Sequence, residues 1–121
     1  MKIEKGKVIR ITVNDKLEVL EIPWTLEGHE NAIGADMCEV VRTLPGYDPI
    51  VMLVDESGLL KHKPINKAAS IMYGSERHGR CIAGDVILVE LEGPETVPLN
   101  NLDFIEYSLL NMFPFLEKAE K

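Results

Sequence analysis

Two continuous apolar runs of strand length limit what this chain can become: Ile50-Val51-Met52-Leu53-Val54 and Val86-Ile87-Leu88-Val89. The turn set Asp55-Glu56-Ser57-Gly58 closes the first and Gly84-Asp85 opens the second, so both read as buried strands bounded by turns. Between them, Pro64 biases Lys63 toward an extended conformation and bars a helix from running through it. Asn66 then stands at the position of a helix N-cap, Lys67 to Tyr73 is a short helix by composition, and Gly74 can take the left-handed position that ends it.

The flanks supply the rest of an α+β fold. Val8 to Val13 alternates, with Ile9, Ile11 and Val13 on one face and Val8, Arg10 and Thr12 on the other, as a half-buried strand does. Asn14-Asp15-Lys16 turns the chain into a second strand, Leu17 to Ile22. Thr25 is placed to cap a helix over 26–33, Gly34 follows its last turn, and Gly28 weakens it. A third strand is expected over Met37 to Thr43, and Leu44 to Asp48 is a turn. Glu90 to Pro98, with its prolines and glutamates, reads as a surface connection. From Asn100 or Asn101 onward, Leu102, Ile105, Leu109, Met112 and Phe113 recur at spacings of three and four, which predicts an amphipathic helix stopped by Pro114. The expectation is one domain over residues 1–121, with a mostly antiparallel sheet of about five strands covered by that C-terminal helix. Phe104 and Tyr107 off the main helix face, with Phe115 and Leu116 beyond it, exceed what one face needs and point to a homo-oligomer.

Charge and cysteine usage bound the function. The net charge of −7 argues against sequence-independent binding to nucleic acid. Cys38 and Cys81 lie far apart with no CxxC spacing, and His29, His62 and His78 have no metal-ligand spacing with them, so no metal or other cofactor is indicated. With no signal-like N-terminus and no apolar run near the roughly 20 residues of a membrane span, a cytoplasmic protein is expected. Against this acidic background, residues 61–80 carry Lys61, Lys63, Lys67, Arg77 and Arg80 against Glu76 alone, a net of +4. That island is either a solvated loop offsetting acidic neighbours or an anion site. In the second reading Asn66 and Lys67 open a helix N-terminus, Lys61 and Lys63 add donors, Arg77, His78 and Arg80 close over it from the following loop, and Tyr73 and Trp24 are the candidate stacking surfaces. Asn66 serves the first reading equally well, as a cap alone.

The segments LVDESGLLKHKPIN, AASIMYG and IAGDVILVE, together with the Leu17 to Ile22 strand and Thr25-Leu26, resemble the domain of unknown function 3846 family over roughly residues 15–92. The resemblance implies a phage or mobile-element origin and a compact α+β domain; it brings no activity and no functional residue, and it leaves the C-terminal helix outside. Two expectations follow. One is a counter-defence protein that sequesters a small anionic, nucleotide-type signalling molecule at Lys61, Lys63, Asn66, Lys67, Tyr73, Arg77 and Arg80. The alternative is an acidic protein-interaction module that inhibits a host protein, by its acidic surface or its C-terminal helix, imitating the charge of nucleic acid. An enzyme is the least supported class: Ser57, Ser70, Ser75 and Ser108 sit in no nucleophile elbow, and no Gly-rich phosphate loop exists.

Overall fold

In the computed structural model, which describes residues 3–119, a seven-stranded sheet runs through the middle of the molecule with helices on both faces. In chain order the elements are β1 (Lys5–Ile11), β2 (Lys16–Pro23), α1 (Leu26–Ile33), β3 (Cys38–Arg42), β4 (Ile50–Asp55), α2 (Lys67–Tyr73), α3 (Ser75–His78), β5 (Val86–Glu92), β6 (Glu95–Val97), α4 (Leu102–Met112) and β7 (Glu117–Lys118). The strands lie in the order β3-β4-β5-β1-β2-β7, with β6 paired to β5. Among the described residues, no helix is long and apolar enough to cross a membrane.

The two apolar runs became β4 and β5, which lie side by side with Met52 opposite Leu88. Their side chains alternate between two cores because successive residues of a strand face opposite ways. Met52, Val54, Val86 and Leu88 join Ile9, Ile11, Leu17 and the buried faces of α2 and α4. Val51, Leu53, Ile87 and Val89 join Val8, Ile22 and Ile33 of α1 on the other side. Burial on both faces is what allows a strand to be apolar throughout. For the same reason β1 is more deeply buried than its alternation suggests, with Val8 as enclosed as Ile9 and Ile11.

Local signals set the helices. The Thr25 hydroxyl accepts from the Gly28 N–H at 2.9 Å, and Gly34 ends α1 in the left-handed region. Gly28, costly to helix propensity, is required by packing: a Cβ there would overlap the Pro23 carbonyl oxygen. In α4, Leu109 and Phe113 are buried in the core, each gaining about 1.5–3 kcal/mol from that transfer. Met112, expected on the same apolar face, is instead half exposed. The centre of this sheet face is covered by Ala68, Ala69 and Met72 of α2, so the C-terminal helix shares a task expected to be its own.

Among the described residues, the expected sheet of about five strands is therefore corrected to seven; it is mostly antiparallel as expected, with β2 and β7 as its one parallel pair. β6 arises within the supposed surface connection, where Leu91 pairs with Thr96. β7 arises in the charged tail and runs parallel to β2, with the Ala119 N–H donating to the Leu17 carbonyl at 2.8 Å. At three and two residues, neither is long enough to display a period of its own. Phe115 and Leu116, two of the four residues that motivated an oligomer, turn inward: Leu116 is buried and Phe115 packs against the core.

Candidate functional site

The basic island between β4 and β5 is largely bonded to the fold itself. Asn66 is wholly enclosed. Its side-chain oxygen accepts from the Ala69 N–H at 3.1 Å, capping α2, while its amide nitrogen donates to the carbonyls of Ile11 at 2.9 Å and Gly84 at 3.0 Å. One side chain thus joins the start of α2 to β1 and to the entry of β5. With every polar atom engaged inside the protein, Asn66 presents nothing to a ligand at the surface.

Lys61 and Lys63 converge on a carboxylate at the end of β4. Asp55 Oδ2 lies 2.8 Å from Lys61 Nζ and 2.6 Å from Lys63 Nζ, and the Asp55 side chain is 1% exposed. Lys63 Nζ also donates to the Gly34 carbonyl at 2.8 Å, just past the last turn of α1, where the helix dipole favours a cation. Asp36 is a weaker partner of Lys61, at 3.6 Å. Burial alone would push the Asp55 carboxyl up; the hydrogen bonds from Lys61 and Lys63, with the Ser57 N–H, outweigh it and hold it below the usual carboxylate range. The hydrogen bond to Asp55 correspondingly raises Lys61. The site is closely packed, since a Cβ on Gly84, which adopts φ +92°, would stand 2.9 Å from the Lys63 side chain.

The remaining candidates separate. Lys67 Nζ lies over the Phe115 ring, 4.2 Å from its centroid, and so covers the C-terminal segment. Tyr73 stacks on His78 at 4.2 Å, and the Arg80 guanidinium stands 5.7 Å from the Tyr73 centroid and 3.5 Å from Glu39 Oε1. Arg77 is exposed in α3. Trp24, the other stacking candidate, packs in the α1-side core with its indole N–H directed at the Thr96 carbonyl and His29 edge-on at 4.5 Å. The seven predicted residues therefore fall into a buried carboxylate clamp, an enclosed cap, a cover over Phe115 and a small exposed patch around Tyr73. Burial, with lesser help from Glu30 and Asp55, pushes the half-buried Cys38 thiol up to about 11, which disfavours its thiolate form. Among the described residues, no group of three or more His, Cys, Asp or Glu is placed to hold a metal ion.

A different surface has the shape of a binding site. A groove of about 620 Å³ runs between the Gly46–Ile50 turn and one side of α4. Tyr47, Pro49 and Ile50 form one wall; Phe104, Ile105 and Met112 belong to the other. Asp48, Glu90, Asn100 and Asn111 supply polar groups along it. Phe104 is 70% and Tyr107 68% exposed. Glu90 fixes the approach to α4, accepting from the Asn100 N–H at 2.7 Å. The left-handed backbone of Asn101 then starts the helix without a side-chain cap. The helical spacing puts Phe104 and Tyr107 off the buried helix face, and nothing local in the sequence brings the Tyr47 turn opposite them.

A search of curated proteins and a search of solved structures each found no match. A family profile described as domain of unknown function (DUF3846) matches residues 4–113. That span takes in every element from β1 through α4, including the C-terminal helix that the resemblance in the sequence had left out. The chain belongs to the DUF3846 family, a domain of unknown function.

Proposed function

We propose that this chain is a protein-interaction module of phage or mobile-element origin that acts on a host protein through the groove beside α4. The observation that carries the reading is the pair of exposed aromatic rings, Phe104 and Tyr107, on a groove whose walls are mainly apolar. Contiguous exposed apolar surface rimmed by polar groups marks interaction sites, and aromatic anchors commonly dominate the binding energy of such interfaces. The origin rests on the family resemblance, and action on a host protein rests on that origin.

Sequestration of a small anionic nucleotide is the second reading, and one observation favours it. Tyr73, stacked on His78 with Arg80 close by and Arg77 exposed, offers a ring and cationic groups on one surface patch. Lys61, Lys63 and Asn66, already bonded within the fold, add little to it.

Affinity capture from host cells, run in parallel on the parent, Phe104→Ser and Arg80→Ala, separates the two when joined to calorimetric titration with linear and cyclic nucleotides. The expected result is a protein retained by the parent and by Arg80→Ala but lost from Phe104→Ser, with no nucleotide heat. Nucleotide binding abolished by Arg80→Ala, and no capture that depends on Phe104, would transfer the function to the second reading.

A further inference from the structure

We infer that the groove takes a cationic, apolar segment of its partner: a stretch with one or two large apolar side chains flanked by lysine or arginine. This rests on the protein-interaction reading and adds the chemistry of what binds. The apolar requirement follows from the walls, where Ile50, Ile105 and Met112 line a space of about 620 Å³. Sites of that size enclose several side-chain-sized groups. The charge requirement follows from the rim. Among the described residues, Asp48 and Glu90 line the groove and no lysine, arginine or histidine does. Asp48 is exposed, and the Glu90 carboxylate is held in place by the Asn100 backbone N–H at 2.7 Å and its side-chain amide at 3.5 Å. A carboxylate already fixed in position loses little freedom when it pairs, so it favours a guanidinium or ammonium more than a mobile one would. The Asn101 side chain lines the groove as a further polar group, while the amide nitrogens of Asn100 and Asn111 are engaged by Glu90 and the Tyr107 carbonyl, which leaves their oxygens to accept from an incoming peptide backbone.

Other occupants fit less well. A phosphate-bearing ligand would meet two carboxylates and, among the described lining residues, no compensating cation. A second copy would bring a further net charge of −7 against a groove already lined by Asp48 and Glu90.

Selection of a random displayed peptide library on the folded parent protein tests the inference, with each enriched peptide then synthesised and titrated. Enriched sequences should carry net positive charge beside large apolar residues. Their affinity should fall about tenfold or more in Phe104→Ser. Asp48→Asn and Glu90→Gln should each weaken binding about two- to fivefold, as exposed ion pairs do. Glu27→Gln removes one charge from α1 on the opposite face of the sheet and should change nothing. Circular dichroism establishes that each variant is folded. Neutral or acidic peptides that still depend on Phe104 would overturn the cationic inference and leave the interaction reading standing. An equal loss in Glu27→Gln would reduce the attraction to the overall acidic field and would also overturn it. No enrichment, or binders indifferent to Phe104→Ser, would remove the groove itself.

Discussion

The basic segment between β4 and β5 and the groove beside α4 differ in what their side chains have left to offer. In the first, the lysines nearest β4 are already paired, since Lys61 and Lys63 meet the buried Asp55, and Asn66 joins three elements. In the second, few charges stand out, yet Phe104 and Tyr107 remain in water beside an apolar trough. A cluster of like charges in a sequence shows where charge is, and only the fold shows whether it is already compensated. The first region should therefore respond to mutation as part of the core, and the second as a surface whose loss the fold does not notice.

The largest effect is expected at Asn66. Replacing it with alanine removes the α2 cap and leaves the Ile11 and Gly84 carbonyls and the Ala69 N–H without their partner. Each unsatisfied buried group costs about 1–3 kcal/mol, so Asn66→Ala should lose roughly 3–5 kcal/mol in urea unfolding. A loss under about 1 kcal/mol would place Asn66 outside the scaffold and return it to the candidate ligand set.

How much of this was legible depends on how local each determinant is. The bounds of α1 and α2 were readable because Thr25 with Gly34, and Asn66 with Gly74, act within one turn of the helix they delimit. The N-cap role of Asn66 was readable in the same way; its two amide donations were not, since Ile11 is 55 positions away in the chain. The sequence marks Asp55 as a turn residue, and it does accept from the Ser57 N–H at 2.9 Å. Nothing in its neighbourhood showed that the other oxygen would be buried beneath two lysines. β6 and β7 escaped because two or three residues take strand form only when a partner edge is present, and that edge is a property of the finished sheet. The groove joins Tyr47 to Phe104 across the whole sheet topology, so one wall was visible in the helical spacing and the other was not.

A middle-sized effect is expected at Lys63, and its pH dependence sharpens the comparison. Lys63→Met leaves Asp55 buried with Lys61 alone and frees the Gly34 carbonyl, which should cost about 3 kcal/mol near neutral pH. The sign with pH follows from the direction of the Asp55 shift. Its folded-state value lies below that of the unfolded chain, so its contribution is complete above about pH 4 and is lost as the pH falls through the folded value. Removing Lys63 raises that folded value, so the acid-side fall in stability should be shallower in the variant than in the parent. Urea unfolding of both proteins across pH 2–7 measures the difference, which also cancels the carboxylates they share. Parallel curves would mean that Lys63 does not hold Asp55 in solution and is available to an anion after all.

The smallest effect is expected where the sequence looks most apolar for a surface. Phe104→Ser replaces a side chain that is 70% exposed on the outer side of α4. Serine and phenylalanine have similar intrinsic helix propensities, so the backbone should be indifferent to the exchange. Little burial is forfeited, and the unfolding free energy should change by less than about 0.5 kcal/mol, within the range of ordinary surface substitutions. Tyr107→Ser should behave alike, its ring being 68% exposed. A loss above about 1 kcal/mol would show that the ring is covered in solution. The cover is then identified by dilution: stability drawn from a second copy rises and falls with protein concentration, whereas stability drawn from the chain itself does not. Unfolding curves at micromolar and tenfold lower concentration, with sedimentation equilibrium on the same samples, decide between them. Concentration-independent curves for parent and variant, with no loss on substitution, would leave the two rings to a different partner.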